Sequence, residues 1–476
     1  MDGRIVRGEE VVGSRTMTLE ELARAVDGRR VSGRAETRID GFSIDSRSLR
    51  PGDFFVAIRG DRLDGHTFVL EALARGARGA IVSDEAALGS LSENGVVVDD
   101  TLRALQSLAR YIRRGSDAQV VAITGSVGKT TTKELVAAIL GARYRVSKSR
   151  GNLNNAIGLP LSLLELRTRP EVAVVELGMN RPGEISRLVE ISEPNFRVWT
   201  NVAEVHTEFF SSIEGIADAK AEILEGATSD TALVANAADS RVMTRLSGFP
   251  GRVATFGLDV EASVTATEVE DRGLDGTRAL IRTPSGSTTV TTPLLGRANL
   301  SNVLAAVAVA VQFEVPLAAV ADKVAQVEAA SHRGQVYRLQ RGIVVVDDSY
   351  NSNPLAVEAA LTTLARDSRG GRRVAVLGQM LELGDRSIAL HRHVGVAAAT
   401  AGFGLLLTVG EDSARALGAA AVEAGLPADR VIHYESSEEA AIRLIGMLDD
   451  DDVVLVKGSR GLRIELVVER LTAECS

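Results

Sequence analysis

Short apolar runs alternate with helical patterns along most of this chain. Apolar runs at 119–123, 172–177 and 196–202 are separated by stretches in which apolar residues recur every three or four positions. This alternation is typical of parallel strands joined by crossover helices. It predicts a parallel sheet in the middle of the chain.

A second block of the same kind begins near residue 330. Its apolar runs predict five strands, and the helix after the first begins at Pro354, a residue type favoured in the first turn. Together they predict a second doubly wound, Rossmann-like sheet. The predicted strands cover residues 343–348, 373–377, 405–409, 431–433 and 453–456.

Two regions depart from this pattern. Residues 252–295 alternate apolar and polar positions between glycine turns, which predicts a small antiparallel piece attached to the central sheet. Before residue 115 short α and β signals alternate after a capping box at 18–21, and the polar stretch 113–117 predicts a linker. We therefore predict an α/β protein of three domains with bounds 1–115, 116–329 and 330–476.

Composition narrows the class of protein. The net charge of −9 over 476 residues, without a basic stripe, argues against a nucleic-acid partner. Cys475 is the one cysteine, so internal disulfides are excluded and a reducing compartment is indicated. The longest apolar run, 303–311, is too short to span a bilayer, and the first twenty residues lack the apolar core of a signal peptide. These features predict a cytoplasmic enzyme without a membrane span.

One segment combines a strand, a glycine loop and a helix in the order that a phosphate-binding loop requires. The loop is Thr124-Gly-Ser-Val-Gly-Lys-Thr130, and the helical pattern after it runs to Gly141. Its two glycines let N–H groups turn toward phosphate oxygens, and the helix N-terminus adds partial positive charge. Lys129 can reach the outer phosphates, and the Thr130 hydroxyl can bind Mg²⁺. The segment predicts a nucleoside triphosphate site; the alternative is a glycine-rich turn with an exposed lysine.

Three more residues follow the next strands. Glu176 ends the run 172–177, at the sheet edge where ligands of parallel sheets bind, so Mg²⁺ or a structural lysine is expected as its partner. His206 follows the third strand, and its place at the same edge favours a metal or phosphate role over a packed or surface histidine. Lys220 lies fourteen residues further on in a helical pattern. Taken alone, this lysine would be a solvated surface residue.

Together these segments resemble the Mur ligases, the ATP-dependent amino-acid ligases of peptidoglycan synthesis. The family's loop reads Thr-Gly-x-x-Gly-Lys-Thr, so Ile123, where the common form of the loop has glycine, is expected. Four other segments carry the resemblance in the family's order along nearly the whole chain. They are Asp45-Ser-Arg47 with 51–58 and Gly65-His66, then 151–160, then Asp347 to Pro354, and finally Lys457-Gly-Ser-Arg460.

The resemblance implies a role for each matching residue. ATP would be held by Gly125, Ser126, Val127, Gly128, Lys129, Thr130 and Thr131, with Asn299 and Asn302 at the base and Asp348 at the ribose. Mg²⁺ would be bound by Thr130, Glu176 and His206. The catalytic residues would be Lys129, His206 and Lys220, of which the last matches a lysine that is carbamylated in several family members. Contacts to the UDP-muramoyl peptide would come from Ser46, Arg47, Asn154 and Asn155, and contacts to the incoming dipeptide from Tyr350, Asn351 and Asn353.

The activity that the resemblance implies is the addition of D-alanyl-D-alanine to a UDP-N-acetylmuramoyl-tripeptide. The N-terminal domain would bind the UDP-sugar, the central domain ATP and the C-terminal domain the dipeptide, in a protein that acts as a monomer. The peptide carboxylate would attack the γ-phosphate of ATP, and the dipeptide amine would attack the resulting acyl phosphate. Domain closure would keep water from this intermediate.

Two positions depart from the family pattern. Ala298 stands where a histidine is usual, and Gln379 stands where an aspartate is typical. Two alternatives for the function remain. One is another amino-acid ligase, either the preceding Mur enzyme, whose Asp-Asn-Pro-Arg motif is replaced here by Ser352-Asn-Pro-Leu355, or a folylpolyglutamate synthase. The other is a nucleotide-dependent switch or scaffold ATPase without ligation chemistry.

Overall fold

A computed structural model describes residues 16–60, 63–89, 94–205, 208–210, 212–367 and 370–475. The chain divides into two compact units, and none of the divisions coincides with the predicted domain bounds, which remain predictions. The first unit comprises Met1–Ala122, Tyr144–Gly178 and Gly183–Phe196, and the second comprises Ile123–Arg143, Met179–Pro182 and Arg197–Ser476.

The N-terminal part of the first unit is a mixed α/β structure. A five-stranded sheet has the order β2-β7-β6-β5-β4, parallel except for the β2–β7 pair, and β1 pairs antiparallel with β3. Its elements are β1 (Met17–Thr18), α1 (Leu19–Ala25), β2 (Arg29–Ser32), β3 (Arg38–Ile39), β4 (Gly41–Ser43), β5 (Asp53–Val56), α2 (Val69–Ala74), β6 (Gly79–Val82), β7 (Gly95–Val97) and α3 (Thr101–Arg114).

Nine strands from the middle of the chain form one sheet. Its order is β16-β15-β14-β13-β12-β11-β8-β10-β9, and the antiparallel pairs β14–β15 and β15–β16 are the predicted antiparallel piece. The elements are β8 (Gln119–Thr124), α4 (Lys129–Leu140), β9 (Val146–Lys148), α5 (Gly158–Leu164), β10 (Val172–Glu176), α6 (Glu184–Ser192), β11 (Phe196–Trp199), α7 (Ile213–Ala221), β12 (Ala232–Asn236), α8 (Ser240–Thr244), β13 (Arg252–Gly257), β14 (Val264–Asp271), β15 (Thr277–Thr283), β16 (Gly286–Thr292), α9 (Gly296–Gln312) and α10 (Leu317–Gln326).

The C-terminal block is a six-stranded sheet with helices on both faces. Its order is β17-β18-β22-β19-β20-β21, parallel except for β17. Val344 and Val346 pack in the apolar core of one face and Val345 in that of the other. The elements are β17 (Gln335–Arg338), β18 (Val344–Asp347), α11 (Pro354–Ala365), β19 (Arg373–Gly378), α12 (Ser387–Thr400), β20 (Leu405–Val409), α13 (Asp412–Glu423), β21 (Val431–Tyr434), α14 (Ser437–Leu444), β22 (Val453–Lys457) and α15 (Glu465–Glu474).

The structure confirms the α/β class, the predicted capping box and the predicted helix start at Pro354, and it corrects three details. The Thr18–Glu21 capping box opens α1, and the Asn353 side chain caps α11 just before Pro354. The predicted linker at 113–117 is wrong in part, because Arg113 lies in α3 and donates to the carbonyls of Ser192 and Glu193. The third central strand ends at residue 199 instead of 202, and the C-terminal sheet has a sixth strand, β17, at its edge.

Candidate active site

The loop between β8 and α4 has a shape that only glycine permits at two positions. Gly125 has φ +148° and Gly128 φ +86°, in the region that L side chains rarely adopt. A Cβ atom on Gly125 would lie 1.9 Å from Thr200 Oγ1, and one on Gly128 would lie 2.2 Å from Asn302 Oδ1. The loop therefore curls closely against neighbouring side chains and leads directly into the N-terminus of α4, the geometry that binds phosphate.

Residues that follow β11 hold this loop. Asn201 Oδ1 accepts from Val127 N–H at 2.9 Å, and Asn201 Nδ2 donates to the Val127 carbonyl at 3.0 Å. Thr200 Oγ1 donates to the same carbonyl at 2.8 Å, and Ala203 N–H donates to Ser126 Oγ at 2.8 Å. Neither Thr200 nor Asn201 was predicted to take part in the site, although both lie at the carboxyl end of a predicted strand. The side chains of Thr200 and Asn201 thus bind the loop directly after β11 ends at Trp199.

Replacing Asn201 by alanine is expected to weaken nucleotide binding about tenfold. The change removes two hydrogen bonds to Val127, each worth roughly 0.5–1 kcal/mol, and about 1.4 kcal/mol corresponds to a factor of ten in affinity. Calorimetric titration with ADP measures the effect, and a thermal melt close to that of the parent shows that the fold is intact. An ADP affinity within twofold of the parent would contradict this role.

The charge of Lys129 affects the pKa of a second lysine of the predicted site, Lys220. The Lys129 ammonium donates to the carbonyls of Gly125 at 2.6 Å and Ser126 at 3.3 Å. Lys220, on α7, is only 2% exposed, so the expectation of a solvated surface lysine is wrong. Burial lowers the pKa of Lys220 well below its usual range, and the charge of Lys129 lowers that pKa further. Burial and the nearby ammonium of Lys129 therefore both disfavour the charged form of Lys220.

The two residues predicted to face the nucleotide base, Asn299 and Asn302, form a hydrogen bond with each other on α9. Asn302 Nδ2 donates to Asn299 Oδ1 at 3.1 Å, and Thr132 Oγ1 donates to Asn302 Oδ1 at 3.3 Å. Asn302 therefore joins α9 to α4, the helix that begins at the phosphate loop. Asp348, predicted at the ribose, accepts from the buried Lys457 ammonium at 2.6 Å.

The first unit contains Glu176 and the residues predicted to contact the UDP-muramoyl peptide. Glu176 ends β10, is 2% exposed and accepts from Asn154 Nδ2 at 2.9 Å. Asn155 Oδ1 accepts from the N–H groups of Ile157 and Gly158, so it shapes the start of α5.

The Asp45-Ser-Arg47 motif combines an ion pair with a buried hydroxyl. Ser46 is buried, and the exposed Arg47 binds Asp45 through two side-chain hydrogen bonds of 2.9 and 2.8 Å. The hydrogen bonds from Arg47 lower the pKa of Asp45 to about 2. The pair therefore keeps its charges at neutral pH and presents the guanidinium to solvent.

His206 lies outside the described residues. Its described neighbours Glu204 and Glu208 contact the loop after β19: Glu204 accepts from Arg386 at 2.7 Å, and Glu208 N–H donates to the Glu382 carbonyl at 3.2 Å. His391 holds that loop at both ends, since its ring bonds the backbone of Met380 and Ser387. The loop that begins at Gln379 therefore contacts described residues on both sides of His206 in the sequence.

The residues predicted to bind the dipeptide lie between β18 and α11. The Asn353 side chain is engaged as the cap of α11, and the Asn351 carbonyl accepts from Lys457 at 3.0 Å. The Tyr350 ring contacts Arg333 and Arg460, two arginines to which the sequence analysis assigned no role.

The oxygen donors of Thr130 and Glu176 suit Mg²⁺, which binds hard oxygen ligands and retains several waters. Within the part of the chain that the structure describes, no three His, Cys, Asp or Glu side chains form a ready metal cluster. The assignment of Mg²⁺ to Thr130, Glu176 and His206, the last of which lies outside the described residues, stays a prediction.

A cavity of about 1050 Å³ in the first unit is lined by none of the predicted site residues. Two of its arginines, Arg110 and Arg114, pair with Glu193. Among the helices of the described ranges, none is long and apolar enough to cross a membrane.

Three family models match the chain in order. They describe a Mur ligase family catalytic domain at residues 38–113, a Mur ligase middle domain at 123–310 and a Mur ligase glutamate ligase domain at 332–460. The middle-domain match begins at the end of β8 and includes the phosphate loop, α7 and most of α9. The chain belongs to the Mur ligase family.

Individual relatives narrow the comparison to one member of the family. The chain is 36% identical over 460 residues to the UDP-N-acetylmuramoyl-tripeptide–D-alanyl-D-alanine ligase of Escherichia coli, with 96% of this chain and 98% of the relative covered. The crystal structure of MurF from Acinetobacter baumannii is similar with a TM-score of 0.88 at 31% identity, covering 97% of this chain and all of that one. The MurF ligase of Thermotoga maritima, solved in complex with ADP, has a TM-score of 0.79 at 29% identity, covering 91% and 97%. The three-domain fold predicted from the sequence is the fold of these ligases.

Proposed function

We propose that this protein is an ATP-dependent ligase that joins D-alanyl-D-alanine to a UDP-N-acetylmuramoyl-tripeptide. The products are the UDP-muramoyl-pentapeptide precursor of peptidoglycan, ADP and phosphate. The observation that carries the proposal is the nearly full-length similarity to ligases of this activity, combined with a phosphate loop of the required shape.

The residues of this chain would act mainly by positioning and by stabilising charge. The N–H groups at the start of α4 and the Lys129 ammonium would hold the phosphates while the peptide carboxylate attacks the γ-phosphorus. Mg²⁺, when bound, supplies further neutralisation of phosphate charge. The resulting acyl phosphate is attacked by the dipeptide amine, phosphate leaves, and the new peptide bond is complete.

The alternative functions differ from this proposal in the substrates that must be present before ADP is released. A ligase of another specificity would release ADP only with a different acceptor or amino acid, and a switch ATPase would release it without either. An ADP-release assay across a panel of UDP-muramoyl peptides, amino acids and dipeptides tests all three. Release that requires both the tripeptide and D-alanyl-D-alanine is expected; release that is independent of the dipeptide would contradict the proposal.

The same proposal includes the roles of the site residues, the three domain bounds, a monomeric state and a cytoplasmic location. A lone cysteine near the C-terminus and a cytosolic nucleotide substrate support that location. Light scattering after gel filtration measures the mass in solution, and cell fractionation measures the location.

The two substrates are expected to depend on different parts of the chain. Arg47→Ala should raise the KM for the UDP-muramoyl tripeptide about tenfold and leave the KM for the dipeptide within twofold, because it removes an exposed guanidinium of the N-terminal part. Asn351→Ala should raise the KM for the dipeptide about tenfold and leave the KM for the UDP-muramoyl tripeptide within twofold. Initial rates at saturating levels of the other substrates give each KM separately.

Arg50→Ala is the matched control for Arg47, since it removes a neighbouring exposed arginine of the same loop. It should leave both KM values unchanged. If the Arg47 and Asn351 variants change only the KM for ATP, the proposed placement of the substrates is wrong.

A further inference from the structure

Two guanidinium groups lie against one tyrosine ring at the carboxyl end of the C-terminal sheet. The Cζ atom of Arg333 is 4.1 Å from the centroid of the Tyr350 ring, and that of Arg460 is 5.3 Å away. Arg460 also donates from Nη1 to the Tyr350 hydroxyl at 3.2 Å. The ring therefore holds two like charges near each other by cation–π contact, and a hydrogen bond fixes the direction of one of them.

Neither guanidinium has a carboxylate partner within the described ranges, whereas the nearby Lys457 is bound to Asp348 at 2.6 Å. Asp347 is likewise engaged, by His332 at 2.7 Å and by the Ser349 hydroxyl. The carboxylates beside the ring are thus already satisfied while the two guanidinium charges are not balanced. Such a surface gains free energy when it binds an anion.

Resting on the proposed function, we propose that Arg460 binds the terminal carboxylate of the incoming D-alanyl-D-alanine. A guanidinium presents a planar pair of N–H donors that matches a carboxylate. Arg460 begins a short 3-10 helix just after β22, whose last residue, Lys457, donates to the Asn351 carbonyl, so Arg460 adjoins the segment proposed to hold the dipeptide.

The other two cations beside this segment are less suited to the same task. The Lys457 ammonium is 3% exposed and already has two acceptors, Asp348 and the Asn351 carbonyl. Arg333 contacts the face of the ring more closely and makes no hydrogen bond to it within the described residues, so it strengthens the positive potential without orienting a donor. Arg460 is exposed and directed by Tyr350, as recognition of a soluble dipeptide requires.

The test compares the dipeptide with D-alanyl-D-alaninamide, which has the same shape but no negative charge. We expect the parent enzyme to prefer the acid by about 10- to 100-fold in kcat/KM, the range for a hydrogen-bonded charge. In Arg460→Ala this preference should fall to about threefold or less, and Arg460→Lys should retain part of it. The KM values for ATP and for the UDP-muramoyl tripeptide should stay within twofold in both variants.

Arg470→Ala, which removes an exposed arginine of α15, is the control and should keep the full preference for the acid. Circular dichroism confirms that each variant is folded. An Arg460→Ala enzyme that still prefers the acid, or whose KM rises for ATP instead, would overturn the assignment of Arg460 while leaving the ligase activity of the parent intact. A parent enzyme that shows no dependence on the dipeptide would overturn the proposed function itself.

Discussion

Lys129→Ala is expected to lower kcat about 10²- to 10³-fold without unfolding the protein. Lys129 is the cation nearest the curled loop, where its ammonium contacts the carbonyls of Gly125 and Ser126. Removal of one preorganised group that stabilises charge in a transition state typically costs roughly 3–4 kcal/mol. Because the side chain contacts the loop surface instead of an apolar core, the thermal melt should move little. ADP release under saturating substrates measures the turnover.

Lys323→Ala on α10 is the control, since it removes a lysine to which no role in the site is assigned. It should keep the parental rate. An Lys129→Ala enzyme that retains more than a tenth of the parental turnover would show that this loop does not serve phosphoryl transfer.

Lys220→Ala is expected to lose most activity, and acetate or another short carboxylate is expected to restore part of it. Burial lowers the pKa of Lys220, which raises the fraction of the neutral amine, the form that reacts with CO₂. The reaction forms an N–C bond and releases one proton, and it replaces a buried amine by the anionic oxygens that Mg²⁺ prefers. Added acetate would supply such oxygens in the space that the alanine leaves.

Two further measurements test the carbamate directly. Removal of bicarbonate should lower the parental rate at alkaline pH, where dissolved CO₂ is scarce. Labelled ¹³C-bicarbonate should give a carbamate resonance in the parent that is missing in Lys220→Ala. Absence of both the resonance and the acetate rescue would leave Lys220 as an unmodified lysine.

The phosphate loop could be predicted because everything that defines it is local in the sequence. An apolar strand, two glycines and a helix start follow within a few residues, and the spacing alone gives the turn. The Asn353-Pro354 start of α11 is of the same kind, since a cap and its helix are adjacent. The two sheets also followed from local patterns, because buried parallel strands are continuous apolar runs.

Features that depend on distant contacts could not be predicted in this way. Lys220 has the sequence surroundings of a surface lysine, and its local pattern does not show that the folded chain buries it. The edge strand β17 is short and mostly polar, so its pattern is weak. The approach of Arg460 to Tyr350 joins residues 110 positions apart, and no local spacing encodes it.

The hydrogen bonds between Val127 and the pair Thr200 and Asn201 keep the phosphate loop in one conformation between catalytic cycles. They come from the protein itself, so the curled form of the loop does not depend on its ligand for support. The conformational entropy of the loop is therefore lost once, when the chain folds. Arrival of a nucleotide then requires only that the Lys129 ammonium exchange two carbonyl oxygens for phosphate oxygens, so the loop need not fold and unfold with every turnover.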